Sequence, residues 1–175
     1  MSSQERLFFA LWPDEQVRSH LTQISQQASQ HLKGKLIPPE NLHITLAFIG
    51  EIATQRCLRQ VAEQVQGCPF SLFFDEMNYW SKNQIFWVGV HSLPLALNTL
   101  VEELSTRLQV CGYRRASRPY QVHVTLMRKA HPITRTLPSW EHFSWPVEEF
   151  CLVRSQLTTV GAHYEIIARW PLNKN

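Results

Sequence analysis

Apolar residues recur along this chain with two periods, one typical of helices and one typical of strands. The first apolar run, residues 6–12, is continuous and stops at a proline, which predicts a buried strand. A stripe at helical spacing follows, capped by Asp14 and continuing to Leu32. Similar stripes, each ended by a glycine, predict two more helices over residues 54–66 and 95–110.

The remaining apolar segments are short or alternate with polar residues, which predicts strands. Two of them, residues 70–74 and 84–91, flank a turn-rich segment and are interpreted as paired strands. The other predicted strands cover residues 41–49, 121–129, 148–158 and 164–170. Because strands outnumber helices and several form hairpin-like pairs, we predict an α+β protein with largely antiparallel sheets.

No linker or low-complexity segment divides the 175 residues. We therefore expect a single domain over residues 1–175, a length that allows two small lobes around one shared core. A soft boundary between the lobes is placed at residues 81–95, and strands are expected to cross it.

Two segments of the chain are near copies of each other, 80 positions apart. The first, residues 39–46, reads PENLHITL, and the second, residues 119–126, reads PYQVHVTL. Because a strand points successive side chains to opposite faces, each copy presents a histidine and a threonine side by side, with apolar residues behind them. The four polar side chains presented in this way are His43, Thr45, His123 and Thr125.

A single histidine–x–threonine pattern is weak evidence, and the chain contains a third one at His20. That copy lies in a predicted helix, where side chains two positions apart point about 200° apart and cannot converge. For the other two copies the alternative interpretation is an internal duplication of half-buried strands with hydrogen-bonded core histidines. Polar groups left unpaired in a core cost about 1–3 kcal/mol each, which favours a functional role.

The alternation of side chains along a strand also predicts which face the residues beyond each motif occupy. It places Phe48 on the apolar face, and core packing is the favoured role for Phe48 and Phe9. It turns Arg128 away from His123, so this arginine reaches a shared site only if the strand ends or bulges after Leu126.

Other aromatic residues could stack on a base or pack in the core, and the sequence does not decide the role of each of them. Trp80 fits either role, Tyr120 is a rim residue or a ligand contact, and Tyr164 and Trp170 are expected in the core. The six histidines outside the two motifs, His163 among them, form no metal-binding pattern and are interpreted as structural or solvated.

The composition of the chain excludes only a few classes of function. Hydrophobic residues make up 44% and charged residues 18%, which argues against disorder. A net charge of +3 permits a polyanionic ligand without demanding one. No G-x-x-x-x-G-K-[ST] loop is present, and the four cysteines lack metal or redox spacing. Free cysteines and a start without a signal-like segment predict a cytoplasmic protein that does not enter a membrane.

The paired motifs resemble those of the two-histidine phosphoesterase superfamily. The opening RLFFA, the run NLHITLAFIG and the dipeptide RP ahead of His123 make the chain similar to the bacterial RNA 2′,3′-cyclic phosphodiesterases, also called 2′-5′ RNA ligases. The resemblance spans nearly the whole chain. It implies a bilobal fold with pseudo-two-fold symmetry, in which duplicated antiparallel sheets flanked by helices form a central cleft lined by both motifs.

The resemblance also implies an activity. His43 would act as the acid and His123 as the base that open a 2′,3′-cyclic phosphate to a 2′-phosphate, with Thr45, Thr125 and Arg128 binding the phosphate. A 5′-hydroxyl in place of water would join RNA through a 2′-5′ bond. The expected partner is RNA or a nucleotide with a cyclic phosphate or a 2′-5′ linkage. We expect no cofactor, no metal and a monomer.

Two other functions are compatible with these residues. In a metal-dependent phosphoesterase the two motif histidines would be ligands, but neither motif strand carries the carboxylate that such a site usually recruits. In a non-catalytic module that binds RNA ends, they would hold phosphate without turnover. Intact histidines in both motifs favour catalysis, because binding alone would tolerate arginine or lysine there.

Overall fold

The computed structural model describes residues 5–52, 54–133 and 136–173. Within these ranges the chain forms two four-stranded sheets, one two-stranded sheet and three α-helices. The helices are α1 (Glu15–Ala28), α2 (Arg56–Ala62) and α3 (Leu95–Arg107). The strands are β1 (Glu5–Leu11), β2 (Leu32–Leu36), β3 (Ile44–Ile52), β4 (Phe70–Phe74), β5 (Glu76–Trp80), β6 (Ile85–Gly89), β7 (His123–Pro132), β8 (Phe143–Val147), β9 (Glu149–Thr158) and β10 (Gly161–Pro171).

Each large sheet combines strands from distant parts of the chain. The first sheet has the strand order β10-β9-β1-β3, and the second has the order β2-β7-β6-β5. Strand β2 therefore pairs with β7, which carries the second motif, while β9 from the end of the chain pairs with β1. All of these pairs are antiparallel, so the predicted α+β class with antiparallel sheets is confirmed. The position of a lobe boundary stays a prediction.

The helices pack against the sheets through the apolar stripes seen in the sequence. Helix α1 contacts β7, and α3 contacts β3. The carboxylate of Asp14 caps α1 by accepting a 2.8 Å hydrogen bond from the backbone N–H of Val17, a contact typically worth about 1 kcal/mol. Ile44 and Val124, on the apolar faces of the motif strands, are fully buried. The opposite faces of those strands are thereby left for polar side chains.

Several local predictions are wrong, and α2 covers Arg56–Ala62 where the sequence predicted a helix over residues 54–66. Helix α1 ends at Ala28, and Leu32 opens β2 instead of continuing the helical stripe. The strand over residues 70–74 pairs with β8, and the hairpin partner of β6 is β5. Strand β3 runs past Gly50 to Ile52. Tertiary pairing holds β2 and β5 as strands, although their own residues show no clear alternation of buried and exposed positions.

Two of the four cysteines are not free, contrary to the expectation from the sequence. Cys57 of α2 and Cys111, which follows α3, form a disulfide. Cys68 and Cys151 are free thiols, the first exposed and the second buried. The cysteines therefore do not decide between a reducing and an oxidising compartment.

Within the three described ranges, no helix is both long enough and apolar enough to cross a bilayer.

Candidate active site

A cleft of about 930 Å³ lies between the two large sheets. Residues of β1, β3 and β10 line it from the first sheet, and residues of β2 and β7 line it from the second. His43, Thr45, His123 and Thr125 all line this one cavity. The fold therefore brings the polar faces of the two motif strands to a single site.

Each motif strand carries a β-bulge at the same place. In β3, the residues on either side of Leu46 pair with consecutive residues of β1, which leaves Leu46 without an opposite residue. In β7, the residues on either side of Leu126 pair with consecutive residues of β6. The two leucines are 80 positions apart, so the bulge belongs to the duplicated unit.

The bulges reverse the alternation of side chains beyond them. Phe48 consequently lines the cleft together with His43, and 50% of its surface is exposed, so its predicted place in the core is wrong. Arg128 lines the cleft together with His123 for the same reason. The sequence predicted that Arg128 reaches the site only if the strand ends or bulges after Leu126, and the structure has a bulge at Leu126.

The imidazole of His43 is held by a backbone carbonyl, a hydroxyl and aromatic rings. Its Nδ1–H donates to the carbonyl oxygen of Asn41 at 2.6 Å, and its Nε2 lies 3.1 Å from Oγ1 of Thr45. The carbonyl acceptor fixes the tautomer of the neutral ring, which leaves Nε2 for chemistry. Three rings surround it: Phe8 at a centroid distance of 5.0 Å, Trp12 at 5.2 Å and Tyr164 at 5.3 Å.

His123 has the same backbone arrangement. Its Nδ1–H donates at 2.9 Å to the carbonyl oxygen of Gln121, two residues earlier, as in the first motif. The ring of Trp80 lies edge-on at a centroid distance of 4.7 Å, and that of Trp87 lies at 6.1 Å. Trp80, whose role the sequence left open, thus packs against a candidate catalytic histidine. Both imidazoles are held in the same tautomer, which leaves Nε2 without a proton when the ring is neutral.

Burial lowers the pKa of both histidines. The pKa of His43 falls to about 4, chiefly through desolvation, against the opposing effect of its bond to Asn41; the charges of His123 and Arg128 lower it further. The pKa of His123 is lowered chiefly by burial, and also by Arg118 and Arg128. Both rings are therefore neutral near pH 7 in the free protein. An anion bound between them would raise both pKa values.

Cationic side chains outnumber acidic ones around the cleft. Arg6, Lys35, Arg128 and Lys129 line it, whereas Glu40 is the carboxylate among the described lining residues. This excess of positive charge attracts anions. In the described part of the chain, no group of three or more His, Cys, Asp or Glu side chains is arranged so as to hold a metal ion.

Tyr120 connects the two motifs. It precedes the second motif in sequence, yet its hydroxyl donates a 3.0 Å hydrogen bond to the backbone carbonyl of Thr45 in the first. Burial raises the pKa of this phenol, so the hydroxyl stays protonated and able to donate. The sequence left Tyr120 as a rim residue or a ligand contact. In the structure it bridges the segments that carry His43 and His123.

Two further cleft residues were missed from the sequence. Tyr164 is predicted in the core and His163 in a structural or solvated position, yet both line the cavity from β10. Their place depends on the pairing of β10 with β9 in the first sheet, which no local pattern shows. Phe9 is fully buried as expected, and Trp170 packs against it at 5.9 Å.

Comparisons with known proteins agree on one family. The family profile described as LigT like Phosphoesterase matches residues 11–87, which include the first motif. RNA 2′,3′-cyclic phosphodiesterase of Escherichia coli (strain K12) is 28% identical over 176 residues, covering 99% of this chain and 100% of that protein. The protein of the same name from Thermus thermophilus is 28% identical over 181 residues, covering 95% of this chain and 90% of its own length.

A solved structure shows the same likeness in three dimensions. E. coli LigT complexed with 3′-AMP matches with a TM-score of 0.88 at 27% sequence identity. The match covers 98% of this chain and 100% of that one. Its coverage reaches past residue 87, where the family profile ends.

Proposed function

We propose that the chain is a LigT-like phosphoesterase of the two-histidine superfamily and, within it, an RNA 2′,3′-cyclic phosphodiesterase that produces 2′-phosphate ends. The observation that carries the proposal is the pair of histidines, one from each motif, lining a single cationic cleft. Opening a cyclic phosphate requires a base on one side of phosphorus and an acid on the other. Two imidazoles meet this requirement, and such groups typically contribute about 10²–10⁴-fold each.

Each histidine acts through Nε2 in the proposed reaction, because a backbone carbonyl engages Nδ1–H. His123 takes a proton from the attacking water as the water oxygen bonds to phosphorus. The bond to the ribose 3′ oxygen breaks, and His43 gives that oxygen a proton. The bound phosphodiester anion first raises the pKa of His43 so that its ring is charged. Its desolvated setting then favours release of that proton.

Thr45, Thr125 and Arg128 are the proposed phosphate-binding residues. All three line the cleft beside the histidines. The two hydroxyls can donate to non-bridging oxygens, and the guanidinium adds a charge-assisted donor. These contacts strengthen as negative charge builds on the oxygens in the transition state.

The same geometry supports reversible ligation. If a 5′-hydroxyl of RNA replaces water, its oxygen bonds to phosphorus and the product is a 2′-5′ linkage. The reverse step cleaves that linkage and restores the cyclic phosphate. The energy of the strained ring drives the forward step, so no nucleotide is consumed.

The decisive experiment is product identification with the purified protein and adenosine 2′,3′-cyclic phosphate. We expect conversion to the 2′-phosphate, at a rate that a strong chelator does not change. A 3′-phosphate product would contradict the proposed leaving oxygen. Loss of activity with the chelator would favour a metal-dependent phosphoesterase. Tight binding of the nucleotide without any product would indicate a module that binds RNA ends.

The lowered histidine pKa values predict an acidic optimum for kcat/KM. This parameter reports the free enzyme, in which both pKa values lie below about 6.5, so we expect a bell-shaped profile with its maximum below that pH. The profile of kcat reports the substrate complex and should lie at higher pH, because the bound anion favours the charged rings. The measurement is kcat and KM as functions of pH. Coincident profiles would show that the bound phosphate does not act on the histidines.

The proposed enzyme is a cytoplasmic monomer. One chain holds both motifs in one cleft, so we propose a monomer that acts on RNA ends. We also propose a cytoplasmic location because the proposed substrate is RNA. The cysteines do not support this location, since two of them form a disulfide. Size-exclusion chromatography with light scattering would test the monomer.

A further inference from the structure

Tyr120 occupies a position at which the two copies of the motif differ. It is the second residue of PYQVHVTL, and the corresponding residue of the first copy, 80 positions earlier, is Glu40. Glu40 lies in the short helical turn Pro39–Asn41 and lines the cleft, whereas the hydroxyl of Tyr120 reaches the other motif. The duplicated unit does not require a tyrosine at this position, so its contact with the first motif needs an explanation of its own.

A short series of contacts through Tyr120 joins the two histidines. On one side, the backbone carbonyl of Thr45 accepts the bond from Tyr120 at 3.0 Å, and the hydroxyl of Thr45 lies 3.1 Å from Nε2 of His43. On the other side, the residue after Tyr120 is Gln121, whose carbonyl accepts the Nδ1–H of His123 at 2.9 Å. The position of each imidazole thus depends on a residue that Tyr120 either bonds or adjoins.

The bond from Tyr120 crosses between the two large sheets. Thr45 belongs to β3 at the edge of the first sheet, and Tyr120 comes just before β7 of the second. Backbone hydrogen bonds fix the strands within one sheet, but they do not fix one sheet against the other. Two groups that act on one phosphorus need accurate placement, because a displacement of about 1 Å can reduce the rate by about 10²-fold.

The phenol of Tyr120 is suited to a lasting bond between the sheets. Its ring packs against the hydrophobic core, which restricts its movement. Burial raises the pKa of the hydroxyl, so it stays protonated wherever the histidines work. A donor that is protonated and held by core packing forms its bond in the free protein, before any substrate binds.

We propose that Tyr120 is a positioning residue that holds His43 and His123 at the separation the reaction needs. It acts through the carbonyl of Thr45 and touches no reacting atom, since it is not among the described residues that line the cleft. The proposal rests on the proposed phosphodiesterase function and adds a residue to the machinery of that site.

Tyr120→Phe tests the proposal, because it removes the hydroxyl and keeps the ring. We expect it to lower kcat for adenosine 2′,3′-cyclic phosphate by about 10- to 100-fold, the range set by a small misplacement of a catalytic group. KM should change little, because Thr125 and Arg128 of the second sheet still bind the phosphate. The loss falls on kcat because the acid and the base must act in the same transition state.

Tyr79→Phe is the matched control. The hydroxyl of Tyr79 also donates to a backbone carbonyl, that of Ala130 at 2.8 Å, and both tyrosine bonds are partly buried. Both partners of the control bond belong to the second sheet, and Tyr79 is not among the described residues that line the cleft. The two variants should lower Tm to a similar extent, whereas Tyr79→Phe should leave kcat unchanged. An equal loss of kcat in both variants would overturn the positioning role.

The ¹⁵N signals of the imidazole nitrogens give a readout that does not depend on activity. Loss of stability alone leaves the signals of the folded protein in place, whereas a change in position moves them. We expect the signals of His43 to move in Tyr120→Phe, because Thr45 is released, and to stay in place in Tyr79→Phe. Unchanged signals of both His43 and His123 in Tyr120→Phe would refute the proposal.

The outcomes separate this inference from the function on which it rests. If the wild type hydrolyses the cyclic nucleotide and Tyr120→Phe matches its kcat, the positioning role is refuted and the phosphodiesterase stands. If the wild type yields no product, the proposed function fails. The imidazole signals then judge by themselves whether Tyr120 positions the two rings.

Discussion

His43→Ala and His123→Ala should each lower kcat/KM for a 2′,3′-cyclic nucleotide by about 10²–10⁴-fold. Each ring presents Nε2 to the cleft, because a carbonyl two residues earlier holds Nδ1–H. Alanine removes the imidazole that the motif presents to the cleft. Phosphate binding by the threonines and Arg128 would remain, so the loss should fall on kcat more than on KM. Initial rates with the cyclic mononucleotide give both parameters.

Two further variants make the histidine experiment decisive. The double variant should be little slower than the slower single variant, because an acid and a base that act in one step are not additive. His91→Ala is the control, since His91 is exposed and lies outside the cleft lining. Near-normal turnover by either single variant would end the two-histidine mechanism. Circular dichroism of each variant excludes unfolding as the cause of a loss.

Gly89→Ala should damage catalysis and stability together, although Gly89 touches no substrate. A Cβ at this position would lie 2.4 Å from the carbonyl oxygen of Val122 and 2.9 Å from the ring of Trp87. The carbonyl belongs to the backbone just before β7, and Gly89 pairs with His123 itself. The chain can relieve the clash only by moving β7 away from β6. The imidazole of His123 would then leave its productive position.

The expected size of this effect follows from overpacking and misalignment. Overpacking typically costs about 1–3 kcal/mol, which lowers the Tm of a chain of this length by roughly 2–12 °C. A displacement of about 1 Å at a catalytic group can reduce kcat by about 10²-fold. Thermal unfolding and kcat of the same preparation measure both. The tight position is buried, so an added methyl group cannot escape into solvent.

Gly112→Ala is the control for Gly89→Ala, because it also replaces a glycine but causes no steric clash. A Cβ at Gly112 meets nothing within 4 Å, and the cost there comes from its left-handed backbone, with φ at 83°. That strain is about 1–2 kcal/mol, and Gly112 is not among the described residues that line the cleft. Gly112→Ala should therefore lower Tm modestly and leave kcat unchanged. If Gly89→Ala behaved in the same way, the close approach of β6 and β7 would not position His123.

The motif strands show how far local sequence can carry a prediction. The alternation around His43 and His123 correctly separated a buried face from a polar face, because that period is a property of the extended backbone. Alternation failed beyond Leu46, because a bulge is set by pairing with a neighbouring strand. The same event, 80 positions later, turned Arg128 into the cleft. Knowing one bulge from the repeat would have predicted the other.

Long-range pairing explains the remaining errors. Strand β2 has one buried residue in five, and it exists because β7 offers an open edge. Tyr164 and His163 reach the cleft because β10 joins the first sheet after a long separation in sequence. The disulfide between Cys57 and Cys111 depends on α2 meeting the end of α3. None of these contacts leaves a local pattern.

The chain by itself determined the duplicated unit, the helices, the α+β class and the two histidine–threonine pairs, because each follows from residue spacing of a few positions. The tertiary structure decided what shares the cleft with those pairs. Strand pairing aligned the copies, placed the bulges that turn Phe48 and Arg128 inward, and let Tyr120 bridge the motifs. Such contacts join residues that are tens of positions apart, so only the folded chain selects them.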